Sequence, residues 1–313
     1  MAHSPTNRHL ERAELERTIK DNRRAVLVVN TRSRSGARAY AEAKERLAGA
    51  GIELDAAYPI RHAERLPEIV REEIAKGRKL IIVGGGDGTI SSVVDHFAYV
   101  DVVFGLLPLG TANSFARTLG IPLDLQGAID VLATGKIAEI DLGKINNDYF
   151  ANGSSIGMPS IIGRATPASL KKWLGPTAYG LVAAVAFARY KPFRCIVTIH
   201  GEERSFEALD VRIANGAYQG GVLVASEAVL HDGEIVIHIL KGRSKWALAK
   251  DWARLALSAP FAPGDIEALQ APEVTIDTRP SLYVSVDGEV ITQTPIHVSV
   301  ARKALLLIVP ASS

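Results

Sequence analysis

A glycine cluster, Gly84-Gly85-Gly86-Asp87-Gly88-Thr89, does most to restrict what this chain can fold into. It directly follows the apolar run Leu80-Ile81-Ile82-Val83 and precedes Ile90-Ser91-Ser92-Val93-Val94. That order predicts a buried strand, a tight turn and the first turn of a helix. Glycines let a backbone come close to a bulky anion, and a helix N-terminus offers its unpaired N–H groups to it. The stretch therefore predicts a phosphate-binding turn. Asp87 is the odd member, because a carboxylate repels phosphate. Its presence makes sense if Mg²⁺ sits between the two, or if Asp87 takes a proton from an attacking hydroxyl.

Strand-like and helix-like runs alternate on both sides of this turn. Residues 25–30, 52–58, 79–83 and 102–108 read as strands, and residues 37–50, 66–76 and the run from Thr89 as helices. Gly51 and Gly77 stop the first two helices. Such alternation predicts a parallel, doubly wound sheet covered on both faces. In these sheets ligands bind beyond the carboxyl ends of the strands. Asn30, residues 84–89 and residues 108–111 fall at those ends, so three separate segments are expected at one crevice.

From about Leu132 the pattern changes. Short β-rich runs follow at 138–145, 149–156, 195–200, 210–214, 235–240, 282–286, 296–300 and 305–309. Turn signals separate them, among them Asn146-Asn147-Asp148, His231-Asp232-Gly233 and Asp287-Gly288. Helical patterns occur at 168–190 and 244–258. The expected fold is an α/β N-terminal domain over residues 25–133, then a larger β-rich, sandwich-like domain over 134–313 whose last segment returns toward the first. Residues 1–24 read as a polar, partly disordered tail, with a charged helix over 11–24.

Composition narrows the function classes. Hydrophobic residues make up 47% and charged residues 22%, as in a globular chain. A net charge of +2 makes no case for nucleic acid. The single cysteine, Cys195, excludes an internal disulfide and suits a reducing, cytoplasmic compartment. The His residues show no zinc spacing. With no apolar stretch near the N-terminus, no signal peptide is expected, and the run 178–187 is too short to span a bilayer.

The glycine loop lacks the Gly-Lys-Ser/Thr ending of a P-loop and the spacing of a dinucleotide fingerprint. A second loop lies downstream, in Leu107-Pro108-Leu109-Gly110-Thr111-Ala112-Asn113-Ser114-Phe115-Ala116-Arg117. Thr89 and Thr111 each offer a hydroxyl to a phosphate or ribose oxygen. Together the two loops resemble the diacylglycerol kinase catalytic family, which includes bacterial lipid kinases and sphingosine kinases. The resemblance implies an ATP-dependent, Mg²⁺-requiring lipid kinase that meets its substrate at a membrane surface as a peripheral protein; a homodimer is compatible with it. It implies nucleotide contacts from Asn30, Ser33 and Gly36, from Gly85, Gly86, Asp87, Gly88 and Thr89, and from Gly110, Thr111 and Asn113. Arg32 and Arg34 are either phosphate contacts or ordinary exposed loop residues. Three departures from the family pattern stand out. Thr31 takes a place where Pro is common, Ser91-Ser92 replaces Asn-Glu, and Ser114 replaces a frequent Asp. The two lost acids bear on substrate identity more than on ATP binding.

In the second half the resemblance implies two further sites. The segment from Ala214-Asn215-Gly216 to Val229-Leu230-His231-Asp232-Gly233-Glu234 resembles one that leads to a structural Mg²⁺. Its ligands would be the Asp232 carboxylate and the carbonyls of Val229 and Glu234, all oxygens as Mg²⁺ prefers; an ordinary Asp-Gly hairpin turn is the alternative. The turn Val286-Asp287-Gly288-Glu289 resembles the family's Asp-Gly-Glu motif, which carries the general base. Asp287 and Glu289 are both candidates, sharing one face if extended, and Asp87 is the third catalytic candidate. Residues 150–157 and 171–179 are also family-like, while Phe115, Ile156, Met158, Ile161 and Ile162 would line an acyl pocket or fill core.

Three other functions compete. NAD kinases share the glycine loop, although the run 108–117 and the Asp-Gly-Glu turn favour the lipid-kinase branch. Gly153-Ser154-Ser155-Ile156-Gly157 matches the G-x-S-x-G pattern of serine hydrolases, with Asp210 or Asp232 and His238 or His297 as partners. The third is a non-catalytic nucleotide-binding regulator, in view of Ser92 and Ser114.

Overall fold

The computed structural model describes residues 5–32, 34–158, 160, 186–256 and 265–311. Ser33, Pro159, Ile161, Ile162 and the segment 171–179 lie outside them. The chain divides into two compact units, Met1–Ile140 with Lys303–Ser313, and Asp141–Arg302.

The first unit opens with helix α1 (Pro5–Asn22), where the sequence reads as a partly disordered tail. Leu15 and Ile19, four residues apart, are both buried and give this polar helix one apolar edge. Four strands follow: β1 (Arg24–Asn30), β2 (Glu53–Ile60), β3 (Leu80–Gly85) and β4 (Val103–Pro108). They pair in parallel in the order β2–β1–β3–β4. β3 and β4 are buried throughout, so they read as continuous apolar runs with no alternation. The covering helices are α2 (Arg34–Gly49), α3 (Leu66–Ala75), α4 (Asp87–Phe97) and, beyond the short α5 (Ser114–Thr118), α6 (Leu125–Thr134). α2 packs with α6 and α3 with α4, which puts one pair on each face, as right-handed crossovers require. The strand order reverses between β1 and β3, and ligands of such sheets bind at that switch point.

β5 (Lys136–Ile145) leads into the second unit, where the strands are β6 (Asp148–Phe150), β7 (Gly153–Gly157), β8 (Phe193–Ile199), β9 (Glu202–Ala214), β10 (Tyr218–Gln219), β11 (Val222–Leu223) and β12 (Ile235–Lys241). Helix α7 (Lys245–Ala256) comes next, then β13 (Ile266–Ala271), β14 (Glu273–Arg279), β15 (Tyr283–Val286), β16 (Glu289–Gln293) and β17 (Ile296–Val309). Pairing here is antiparallel, in the order β16–β15–β7–β9–β8–β14–β17. β9 organises it, because its first half pairs with β8 and its second half with β7 and β12. Ile156, Val211, Ile213, Ile237 and Val284 from one set of strands share a core with Cys195, Val197, Ile276 and Val298 from the other. Burial pushes the Cys195 thiol up to about 12, so it is an inert core side chain.

Three further departures from the sequence pattern concern the strands. The run 149–156 is two strands, β6 and β7, broken at Ala151-Asn152. The runs 296–300 and 305–309 are one strand, β17, with left-handed Lys303 (φ 51°) where it passes from one unit into the other. Its residues Ile296–Ser299 pair with β14, and Leu306 and Leu307 pair in parallel with β4. β13 and β14 carry too many polar residues to stand out as apolar runs, although β14 alternates strictly enough to bury Val274, Ile276 and Thr278.

β9 also has a polar face, on which Asp210 and Arg212 alternate with the core residues Val211 and Ile213. Arg212 Nε donates to Asp210 Oδ2 at 3.0 Å, and another guanidinium nitrogen donates to Asp251 of α7. Burial pushes the Asp210 carboxyl up to about 6 against the pull of Arg212. An acid that holds its proton more tightly when folded lowers stability as pH rises from its unfolded to its folded value. The Tm of the wild type should therefore fall relative to that of Asp210→Asn between about pH 4 and pH 6, by a few °C, and run parallel above that window. A Tm difference that stays flat across the window overturns the assignment.

Candidate active site

At the carboxyl ends of β3 and β4 two loops meet backbone to backbone. A Cβ added to Gly110 would stand 2.4 Å from the Gly86 Cα, and one added to Gly86 would stand 3.0 Å from the Gly110 Cα. A side chain at Gly110 would force the joint apart and one at Gly86 would crowd it, and the reason is proximity rather than dihedral angle. The Leu109 amide donates to the Gly85 carbonyl at 2.9 Å, carrying the β3–β4 pairing into the loops.

Asp87, the first residue of α4, fastens this joint. Its Oδ1 accepts from the Ser114 amide at 2.7 Å and the Phe115 amide at 3.4 Å, and the Ser114 hydroxyl lies 3.4 Å from Oδ2. The carboxylate thus caps α5 from a distant part of the sequence. Asn113 occupies the capping position but makes no cap bond. Its backbone is left-handed (φ 48°, ψ 48°), and its side chain serves the second loop. Oδ1 accepts from the Gly110 amide at 2.9 Å, and Nδ2 donates to the carbonyls of Gly110 at 2.9 Å and Pro108 at 3.4 Å.

Across the switch point, Asn30 Nδ2 donates to Thr89 Oγ1 at 3.0 Å, and Asn30 Oδ1 accepts from the Arg32 amide at 3.1 Å. Thr89 Oγ1 acts there as an acceptor, so its own proton remains to be donated. The Asp87 and Gly88 amides begin α4 and have no acceptor among the described residues. Gly88, Gly110 and Thr111 are exposed. Asn30, Gly85, Gly86, Asp87, Gly88, Thr89, Gly110, Thr111 and Asn113 are therefore gathered at one end of the sheet. Gly36 stands in the first turn of α2, and Arg32 is exposed. Ser92 Oγ donates to the Thr89 carbonyl at 2.8 Å, within its own helix.

In the second unit, Asp287-Gly288 is the two-residue turn between β15 and β16, with Val286 facing Glu289. Both turn residues have positive φ, 45° and 93°, as in a type I′ hairpin. Asp287 and Glu289 thus do not share an extended face: the first is a left-handed turn residue and the second opens β16. Asp287 Oδ1 accepts from the amides of Asn152 (3.0 Å) and Gly153 (2.9 Å), and Oδ2 from that of Ala151 (2.9 Å). Glu289 is exposed.

The loop before β12 holds the candidate metal ligands. Asp232 is exposed, and its Oδ1 accepts from the Glu234 amide at 3.0 Å, so Asp232-Gly233 is a local turn and not a strand-pairing hairpin. Beneath it lies Asp141, a residue that sequence reasoning passes over; its buried carboxylate accepts from the Gly233 amide at 2.9 Å. No group of three or more His, Cys, Asp or Glu able to hold a metal occurs among the described residues. Asp232, Val229 and Glu234 offer oxygen donors alone, the donor type that Mg²⁺ takes.

The hydrolase pattern fails on geometry. Gly153–Gly157 is strand β7, with Ser155 opposite Arg212 and Ser285, whereas a nucleophile elbow needs a strand-to-helix turn. Asp210 is engaged with Arg212, and His238 Nε2 lies 2.5 Å from Glu227 Oε1.

The joint makes a direct prediction about stability. Gly110→Ala should lower the unfolding free energy by about 1–3 kcal/mol through overpacking, and Asp87→Ala by about 1 kcal/mol through loss of the cap. In urea titrations the double variant should lose less than the sum of the two, because both changes open one joint. Full additivity would mean that the two contacts are independent.

Comparison with known proteins agrees with this architecture. Residues 24–145 match the diacylglycerol kinase catalytic domain, and residues 154–309 match the YegS C-terminal NAD kinase beta sandwich-like domain. The chain is 31% identical over 254 residues to the "Probable lipid kinase YegS-like" of Chromohalobacter salexigens, an alignment spanning 78% of this chain and 80% of the other. It is 30% identical over 252 residues to the protein of the same description from Pseudomonas aeruginosa, spanning 78% and 81%. A solved chain from Bacillus anthracis, described as a candidate diacylglycerol kinase, superposes with a TM-score of 0.77 at 25% identity, covering 93% of this chain and 96% of that one. A second Bacillus anthracis structure, described as a diacylglycerol kinase, gives 0.71 at 22% identity over 93% and 98%, a likeness of fold alone. With both halves of the chain matched and two YegS-like lipid kinases related along most of their length, the chain belongs to the diacylglycerol kinase catalytic family, among its YegS-like lipid kinases.

Proposed function

We propose that this protein transfers the γ-phosphate of ATP to a hydroxyl of a diacylglycerol-like lipid. The observation that carries the reading is the glycine joint at the switch point. It presents bare backbone, the Asp87 and Gly88 amides at the start of α4 and the donating hydroxyl of Thr89. These groups neutralise phosphate oxygens without crowding them. Phosphoryl transfer needs mostly alignment and charge neutralisation. Mg²⁺, when bound, would add its charge to that neutralisation, and a structural Mg²⁺ would be held by the Asp232 carboxylate with the carbonyls of Val229 and Glu234.

In the chemical step the lipid hydroxyl oxygen bonds to the γ-phosphorus, the bond to ADP breaks, and the hydroxyl proton must leave. Asp287 is the proposed acceptor of that proton. Three amides hold its carboxylate in one orientation, as a positioned base requires, whereas Glu289 is exposed. No described helix is long and apolar enough to cross a membrane. In this reading the protein meets its lipid from the cytoplasm, at the bilayer surface, in keeping with the free thiol of Cys195. A second reading, a kinase for NAD or a similar soluble acceptor, draws on the same loop and on the NAD kinase-like description of the second half.

Turnover of ATP against diacylglycerol, ceramide, sphingoid bases, phosphatidylglycerol and NAD separates these readings. Diacylglycerol-type lipids should be phosphorylated; phosphorylation of NAD alone would overturn the proposal. Asp287→Asn should cut kcat by about 10²–10⁴-fold with ATP affinity kept, while Glu289→Gln stays near wild type. Circular dichroism checks that the turn has survived. Wild-type kcat in a folded Asp287→Asn removes the base from the mechanism.

A further inference from the structure

Helix α7 has one flank in the packing of the second unit and the other in solvent. Leu248 and Asp251 are buried, and Trp252 packs partly buried against the core. Trp246, Lys250 and Ala253, spaced four and three residues apart, are exposed and form an outward stripe. Trp246 is 66% exposed, yet its ring is braced edge-on by Phe187, with centroids 5.7 Å apart. A large indole held outward forgoes burial that would stabilise the fold. A surface that it can enter accounts for that placement.

The charges say what kind of surface. Residues 241–256 contain five Lys and Arg and one acid, Asp251. That acid is turned inward to Arg212, so the outward side of the segment carries only cations of its own. Lys250 is exposed in the stripe, and the Arg243 side chain, just before the helix, is 83% exposed. Arg243, Lys241 and Arg254 share the acids Glu207, Glu267 and Asp265. These pairs are at least partly solvated and worth little, so they exchange readily for other anions. An interfacial tryptophan flanked by Lys and Arg on the outer face of an amphipathic helix is the composition of a helix lying among lipid headgroups.

We infer that α7 is the element by which this protein docks on an anionic bilayer, with Trp246 at headgroup depth and Lys250 and Arg243 against lipid phosphates. The lipid-kinase reading supplies the reason for meeting a bilayer, but docking itself can be measured without turnover.

The test is co-sedimentation of the full chain with vesicles of phosphatidylcholine alone and of phosphatidylcholine mixed with phosphatidylglycerol. Wild type should bind the mixed vesicles and be released by salt. Trp246→Ala should weaken that binding about tenfold, and Lys250→Glu should flatten its dependence on phosphatidylglycerol. The blue shift of tryptophan emission on vesicles should vanish in Trp246→Phe. Urea midpoints of all three should match wild type, because the changed side chains face outward. Activity on a short-chain diacylglycerol in detergent should be unchanged. Absence of vesicle binding by the wild type, or full binding by both Trp246→Ala and Lys250→Glu, overturns the proposal. Self-association lost in Trp246→Ala with vesicle binding intact also overturns it, because the face would then be an interface between copies. A protein that binds vesicles through Trp246 yet phosphorylates no lipid would sink the kinase reading and leave docking standing.

Discussion

Where the Gly86 and Gly110 backbones meet, Gly110 has no room for an added carbon and Gly86 has little. Much of the first unit's chemistry follows from that contact. It sets the second loop directly beside the start of α4, within hydrogen-bonding reach of the amides of Ser114 and Phe115. It also accounts for the acid in a turn whose glycines read as phosphate-binding. Asp87 satisfies the open N-terminus of α5, where the helix dipole favours negative charge, so its carboxylate is engaged with protein. An acid is compatible with the proposed anion site because it already has a positive partner.

The second unit uses the same device at Asp287. A carboxylate on a left-handed turn residue gathers the amides of Ala151, Asn152 and Gly153 and ties the β15–β16 hairpin to the start of β7. Asn215 adds a second tie, donating to the carbonyls of Asp141 and Ala151 at 3.0 Å each. Both units therefore hold their candidate catalytic carboxylates with backbone amides from far along the chain. Each carboxylate combines structure with whatever chemistry it performs, and variants at either position need a folding control.

What the sequence makes legible follows from what burial does to composition. β1, β3 and β4 are covered on both faces, so unbroken apolar runs reveal them within one or two residues of their ends. The glycine loop is legible because its crowding forbids side chains. Strand β14 and helix α6 escape notice. β14 puts Glu273, Thr275, Asp277 and Arg279 between its buried residues; α6, by contrast, has both a cap, Asp124 accepting from the Gly127 amide at 2.8 Å, and the helical apolar spacing of Ala128, Ile129 and Leu132. The candidate site is legible in its residue types but not in its division of labour. Asn113 reads as a nucleotide contact, yet its amide group is committed to Gly110 and Pro108. Asp287 and Glu289 read as neighbours on one face, until positive φ at the turn separates them. The G-x-S-x-G pattern reads as an elbow, although strand pairing on both sides of β7 keeps it extended. In each case the deciding contact comes from a distant residue or a local dihedral that spacing alone does not encode.

Strand β17 has a consequence for how the protein is made. The β4 edge of the first unit's sheet is covered by Leu306 and Leu307, about 200 residues further along the chain. A pairing of such sequence separation is slow to form, since the loop must close before the contact gives anything back. During synthesis the N-terminal strands emerge first and wait with an apolar edge exposed until β17 arrives, the kind of edge that invites association with other chains. The biogenesis of this protein should thus depend on protection of an unfinished sheet, and changes in residues 303–309 should reduce the yield of folded protein from living cells more than they reduce the stability of what does fold.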